Sequence, residues 1–328
     1  MPEQIGLVLG SGGARGWAHL GVIEELLTVG IEPKLVVGAS IGSLVGAFYA
    51  ADKLDELAKF AHGINLTTMA GYFDLNFLRG GLIAGDKVGD WLEETFGDIN
   101  IEDLPIRFGC VAADISTGRE VWLRKGPLVP ALRASTALPG LFPSVGYEGR
   151  WLSDGGLANP VPVSLARSMG ADFVIAVDLD SEMTPYDPPM NNHPGAQVSD
   201  DKPSRSWVDR MTNSLPDAVR SRAADLVEAV RQPSDKGPGY LELVTRSLHI
   251  MMHRITRSRL AGDPPEALIL PRLEGIGVLE FSRAVDAEAE GRQAVHRARP
   301  ALFDLMRRHD GSGAGEDAHT PIDIGEVR

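Results

Sequence analysis

Leu35-Val36-Val37-Gly38-Ala39-Ser40-Ile41-Gly42-Ser43-Leu44-Val45-Gly46-Ala47 is the stretch that decides the fold. Its opening apolar run predicts a short buried strand over residues 35–38, and its close predicts a helix over 43–51. Between them lies Gly38-Ala39-Ser40-Ile41-Gly42, a G-x-S-x-G sequence at a strand-to-helix turn. A turn of this kind exposes the serine hydroxyl. It needs glycine on both sides, because side chains at Gly38 and Gly42 would crowd the chain and block approach to Ser40. The helix N-terminus next to Ser40 favours negative charge.

Upstream, residues 5–9 (Ile-Gly-Leu-Val-Leu) read as another buried strand ending at glycine. The loop Gly10-Ser11-Gly12-Gly13-Ala14-Arg15-Gly16 follows, and then a helix over about 17–29 with Leu20, Ile23, Leu26 and Leu27 near helical spacing. Gly30 stands where a helix C-cap is expected. Strand, loop, helix, strand, turn, helix is the opening of a parallel α/β sheet. The glycine-rich loop presents backbone N–H groups to an anion, which could be a dinucleotide pyrophosphate or a reaction oxyanion; it could also be a bare turn. The dinucleotide reading requires an acid at the end of the second strand, about twenty residues on. Here that strand ends in Gly38-Ala39-Ser40, and Glu32 lies before it.

Downstream, strands are predicted at 106–113, 119–123, 150–152, 173–178 and 267–270, and helices at 128–137, 163–169 and 284–308. Asp154-Gly155-Gly156 follows Trp151-Leu152-Ser153 and taken alone is an ordinary turn. Residues 181–206 carry five prolines and few large apolar groups, which predicts a flexible polar loop. Residues 207–260 read as a helical cap or lid candidate, with helical stretches at 207–230 and 241–259. Met211, Leu215, Ile250, Met251 and Met252 there could supply adaptable apolar contact or simply pack on the core. The polar segment 310–328 is expected to be a disordered tail.

Composition narrows the function. A net charge of −13 over 328 residues argues against nucleic acid, whose binders neutralise phosphates with Lys and Arg. The single cysteine, Cys110, lies in an apolar run and reads as a buried, inert thiol. No signal peptide is legible at the N-terminus, and no apolar run approaches the roughly 18–20 residues needed to span a bilayer. A cytoplasmic protein with room for peripheral, transient membrane contact is the expectation. A nucleophilic serine usually needs a histidine base. None of the eight histidines has the setting of one: His249 and His253 share a helix face, and His19 belongs to the first helix, so packing or surface roles are expected for all three.

Taken together, Gly10–Gly16, Gly38–Gly42, Arg133-Ala134-Ser135-Thr136-Ala137-Leu138-Pro139-Gly140 and Asp154–Gly156 followed by Asn159-Pro160-Val161-Pro162 resemble the patatin-like phospholipases. The likeness is to bacterial members related to the neuropathy-target-esterase catalytic domain, and it spans about residues 5–180 and, more weakly, the helical part to about 308. It implies a three-layer α/β/α sandwich with a mainly parallel sheet and a C-terminal helical elaboration, over a hydrolase domain of residues 1–309. It further implies a Ser40–Asp154 dyad in place of a triad, with Asp154 acting directly as base, and an oxyanion hole from the N–H groups of Gly12, Gly13 and Ala14. Gly10, Arg15, Gly16, Gly38, Gly42, Gly155 and Gly156 would be supporting residues, with Arg15 steadying the loop or a phosphate. Ser11 departs from the pattern, standing where many members carry the first of three glycines. The substrate implied is a phospholipid, lysophospholipid or related carboxylic ester, with no cofactor and no metal. Two other readings stand beside it: an α/β-hydrolase with a histidine triad, and a non-catalytic lipid- or nucleotide-binding protein on a Rossmann-like scaffold.

Overall fold

The computed structural model describes residues 4–64, 86–180 and 240–309. The loop expected at 181–206, the helix expected at 207–230 and the tail expected at 310–328 lie outside the described residues.

The described strands form one sheet in the order β5-β6-β3-β2-β1-β7-β8, and β4 also pairs with β3. They are β1 (Ile5–Leu9), β2 (Leu35–Ala39), β3 (Arg107–Asp114), β4 (Glu120–Leu123), β5 (Val145–Tyr147), β6 (Arg150–Asp154), β7 (Phe173–Val177) and β8 (Ala267–Ile269). β3, β2, β1, β7 and β8 run parallel, while β4 and β6 pair antiparallel with β3, and β5 with β6. The parallel strands are continuous apolar runs because both faces are covered. Leu7, Leu9, Val36 and Ile175 point to one side, and Val8, Leu35, Val37 and Val174 to the other.

Helices α1 (Ala18–Thr28), α2 (Ile41–Ala50), α3 (Leu54–Gly63), α4 (Asp86–Phe96), α5 (Leu128–Ser135) and α8 (Ala284–His309) contribute to the larger core. The opposite face is covered more thinly, by α6 (Val163–Ser168) and by Leu260 of α7 (Tyr240–Gly262). The architecture is therefore the α/β/α sandwich that the motif pattern implied, with unequal outer layers. The C-terminal helix α8 is an integral part of the larger layer. It crosses α1 so closely that a Cβ on Gly21 would stand 1.9 Å from the Glu288 carbonyl, and one on Gly291 2.0 Å from that of Ala18. Small residues allow the backbones this approach.

Several boundaries and elements differ from the sequence reading, β5 among those it did not contain. Residues 13–17 are a 3₁₀ turn, not open loop, and lead directly into α1. β2 runs on to Ala39 and α2 begins at Ile41, so the elbow is compressed into a single residue. Helices α3 and α4 were not anticipated at all; their short amphipathic patterns, such as Leu57/Phe60/Ala61 and Val88/Trp91/Leu92, were the available signal. No described helix is long and apolar enough to cross a membrane.

Candidate active site

Ser40 sits between β2 and α2 with φ 53° and ψ −127°. A side chain rarely adopts this conformation, and it costs about 1–3 kcal/mol. Packing around the elbow shows why glycine flanks it. A Cβ on Gly42 would lie 2.1 Å from the Leu9 carbonyl and 2.6 Å from that of Gly10, and one on Gly38 would lie 2.3 Å from the Gly42 carbonyl. The elbow is thus pressed against the end of β1, with glycine where a side chain would collide.

Strand register brings the second residue in. Ala39 of β2 pairs with Val111 of β3, and Asp154 at the end of β6 pairs with the next residue, Ala112. β3 therefore places Ser40 and Asp154 side by side. Ser40 Oγ donates to Asp154 Oδ2 at 2.5 Å, and the Gly156 N–H donates to Asp154 Oδ1 at 2.7 Å. Gly155 turns the chain under the carboxylate so tightly that a Cβ there would stand 2.1 Å from the Val111 carbonyl. Asp154 is wholly buried. Burial pushes its carboxyl up to about 6, against the opposing pull of the hydrogen bonds from Ser40 and Gly156. A carboxylate so placed is a stronger base than an ordinary aspartate and already touches the proton it would take.

The glycine-rich loop lies over the same spot, though its N–H groups are not equivalent. Ala14 N–H donates to the Val278 carbonyl at 2.8 Å, Ser11 N–H to Pro160 at 2.9 Å, and Gly10 N–H to Val177 at 3.0 Å. Among the described residues nothing accepts from the N–H of Gly12 or Gly13. Of the three donors expected from the sequence, Ala14 is thus occupied by the chain itself, and Gly12 and Gly13 remain for an anion. The segment after β8, which supplies Val278, could not be anticipated from the sequence.

Arg15 is buried and held by the chain. Its Nε donates to the Ile276 carbonyl and its Nη1 to Asp180 Oδ1, both at 2.8 Å. Of the two roles expected for it, these contacts favour steadying the loop. Asp180 also faces α7: His249 Nε2 lies 2.6 Å from the same Oδ1, off the line of a hydrogen bond, and His253 Nδ1 lies 2.8 Å from the Asp180 carbonyl. Both histidines therefore pack α7 onto the loop after β7. Arg15→Lys keeps the charge but loses the fork that spans Ile276 and Asp180. It is expected to lower stability by about 1.5–3 kcal/mol, read as a lower urea midpoint.

His19 lies beneath the loop, fully buried, with Nε2 2.8 Å from the Gly10 carbonyl. Burial lowers its pKa to about 4, so the ring is neutral at pH 7 and Nε2 carries the donated proton. Cys110 is likewise buried, and burial pushes its thiol up to about 12. No described histidine is bonded to Ser40, and the described residues include no cluster of three or more side chains suited to a metal ion.

Two cavities open at Ser40. The larger, about 370 Å³, is mostly apolar, with walls that include Trp17, Leu44, Trp91, Leu92, Leu138 and Phe142. α3 and α4, missed in the sequence, supply part of this wall. Phe60 and Trp91 stack at 4.0 Å between ring centroids, and Trp91 stacks in turn on Phe48 at 5.3 Å. The smaller, about 80 Å³, is bordered by Arg15, Asp154, Asp180, His249 and Met252.

A strained serine on a strand–helix elbow, a buried aspartate bonded to it and a glycine-rich loop above them form one constellation in a parallel α/β sheet. Comparison with known proteins gives the family. The patatin-like phospholipase family model matches residues 7–167. An uncharacterized NTE family protein of Mycobacterium bovis is 33% identical over 341 residues, which cover 91% of this chain and 92% of that protein. The chain belongs to the patatin-like phospholipase family, within its NTE branch. Over about half its length it is also similar to much longer proteins. A patatin-like phospholipase domain-containing protein of Caenorhabditis elegans is 38% identical over 183 residues, 14% of its own length. A lysophospholipase of Aspergillus fumigatus is 37% identical over 182 residues, 12% of its length. Among solved structures, VipD from Legionella pneumophila aligns over 90% of this chain with a TM-score of 0.42 and 14% identity.

Proposed function

We propose that the protein hydrolyses carboxylic esters of lipids, lysophospholipids foremost, through an acyl-enzyme on Ser40. The observation that carries the proposal is the hydrogen bond from Ser40 Oγ to the buried, high-pKa carboxylate of Asp154. Asp154 takes the hydroxyl proton as Ser40 Oγ attacks the ester carbonyl. The N–H groups of Gly12 and Gly13 receive the developing oxyanion, aided by the start of α2. Asp154 then passes its proton to the departing alcohol oxygen. A water repeats the sequence on the acyl-enzyme, releasing the fatty acid and restoring Ser40.

A carboxylate is a weak base for an alcohol, so most of the rate must come from the oxyanion site and from exclusion of water. Two features of the site suit that need. Asp154 has no solvent contact, and the larger cavity has the apolar lining an acyl chain requires. Lysophospholipid is preferred as substrate because similar proteins carry the name lysophospholipase.

The experiment is labelling with a fluorescent fluorophosphonate, peptide mapping of the adduct, and release of fatty acid from lysophosphatidylcholine. Adduct on Ser40 with fatty-acid release is the expected result. A folded protein that neither labels nor releases fatty acid, in detergent or on vesicles, would refute the proposal and favour a non-catalytic lipid-binding role.

A further inference from the structure

Ser135 is the last residue of α5 and is fully buried. Its Oγ donates to the Val111 carbonyl at 2.7 Å and accepts from the Ser40 N–H at 3.1 Å. A hydroxyl has one proton, and the carbonyl can only accept, so these two bonds fix its direction. Two residues later the Ala137 carbonyl accepts from the Asp154 N–H at 2.9 Å and from Ser153 Oγ at 2.6 Å. One short stretch, 135–137, thus grips the backbone of both Ser40 and Asp154. β3 links the same two residues from the sheet side, its neighbouring residues Val111 and Ala112 pairing with Ala39 and Asp154.

This arrangement bears on strain. Ser40 has a φ of 53°, and such a backbone persists only where the surroundings over-determine it. The α2 N-terminus supplies part of that constraint, with Ser43 N–H and Ser43 Oγ both donating to the Ser40 carbonyl. On the other side of the residue, the Ser135 hydroxyl is the group that holds the Ser40 N–H.

We propose that Ser135 is a positioning residue for the reaction. Its hydroxyl holds the Ser40 peptide so that Oγ stays on Asp154, and with the Ala137 carbonyl it ties both members of the dyad to the end of α5. Ser135 touches no substrate and takes no proton. The proposal rests on the hydrolase reading above. Without the hydroxyl, the Ser40 peptide can relax toward ordinary φ values, and Oγ leaves the carboxylate. Misplacement of a reacting atom by about 1 Å is enough to cost roughly a hundredfold in rate.

Ser135→Ala, Ser135→Thr and Ser135→Cys test the idea, the last under reductant because Cys110 lies beside the site. Thr retains the hydroxyl, whereas Cys keeps the volume and offers only a weak acceptor. The readouts are fluorophosphonate labelling rate per folded molecule, and kcat and KM for lysophosphatidylcholine, with the folded fraction taken from urea melts. For Ser135→Ala we expect labelling rate and kcat to fall together by about ten- to a hundredfold, with KM within about twofold of wild type. Thr should recover at least a tenth of the wild-type rate and Cys should resemble Ala. Should Ala fail to fold, the Cys and Thr comparison decides alone. A labelling rate within twofold of wild type in folded Ser135→Ala or Ser135→Cys overturns the proposal, as does a loss confined to KM or to the folded fraction. An inactive, unlabelled wild type overturns the hydrolase reading itself and this inference with it. An active wild type beside unaffected variants overturns this inference alone.

Discussion

Asp154→Asn is expected to lower kcat by about 10³–10⁴-fold while leaving the protein folded, because the amide keeps the shape of the carboxylate but cannot take the Ser40 proton. Hydrolysis of a para-nitrophenyl ester and fluorophosphonate labelling read the loss directly. The wild-type pH profile carries the same information. Burial raises the Asp154 carboxyl from 3.8 to about 6, and only the ionised form acts as base. The acid limb of kcat/KM should therefore turn near pH 6 and fall about tenfold per pH unit below it. A limb that turns near pH 4, the ordinary aspartate value, would show that the Asp154 carboxyl is not raised.

Stability should move the opposite way. Asp154 holds its proton more tightly in the folded chain than in the unfolded one. The stability that goes with this is fully present below pH 3.8 and is lost as pH rises through about 6. At pH 8 the buried charge costs up to about 3 kcal/mol. Asp154→Asn removes that charge, so it is expected to melt higher than wild type at pH 8, with the advantage vanishing toward pH 4. A variant that loses activity and gains stability at pH 8 is the signature of a site that holds a charge for function at the expense of the fold. Equal melting temperatures across this pH range would argue against a raised carboxyl.

Gly42→Ala is expected to destabilise the protein by about 3 kcal/mol or more and to reduce activity to background. The reason is local and backbone-on-backbone. The new methyl would meet the Leu9 carbonyl at 2.1 Å and the Gly10 carbonyl at 2.6 Å, and neither is the yielding end of a side chain. Relief requires α2 to move off β1. That movement would carry Ser40 away from Asp154 and pull at Gly10, where the loop bearing Gly12 and Gly13 begins. Gly30→Ala is a useful reference. It changes a glycine at φ 83° with no heavy atom within 4 Å of a new Cβ, so it carries backbone strain without collision. Urea melts of the two variants separate those effects, and similar losses in both would refute the packing argument.

Much of this protein is determined by local sequence. Apolar runs ending in glycine specify β1 and β2, whatever the rest of the chain does, because a strand buried on both faces must be apolar throughout. The G-x-S-x-G elbow and the glycine-rich loop were legible for a similar reason: each sits at a junction where only small residues fit. Asp154 was not legible in that sense. Asp-Gly-Gly is an ordinary turn until the order of the other motifs singles it out, and its place beside Ser40 depends on β3, which pairs with both β2 and β6. The engagement of Ala14 by Val278, the apolar wall from α3 and α4, and the grip of Ser135 on Ser40 were likewise decided by tertiary structure. Each joins residues far apart in the chain. Local propensity acts over a turn or a strand, whereas hydrogen-bond partners and cavity walls depend on which distant surfaces the sheet and its helices bring together.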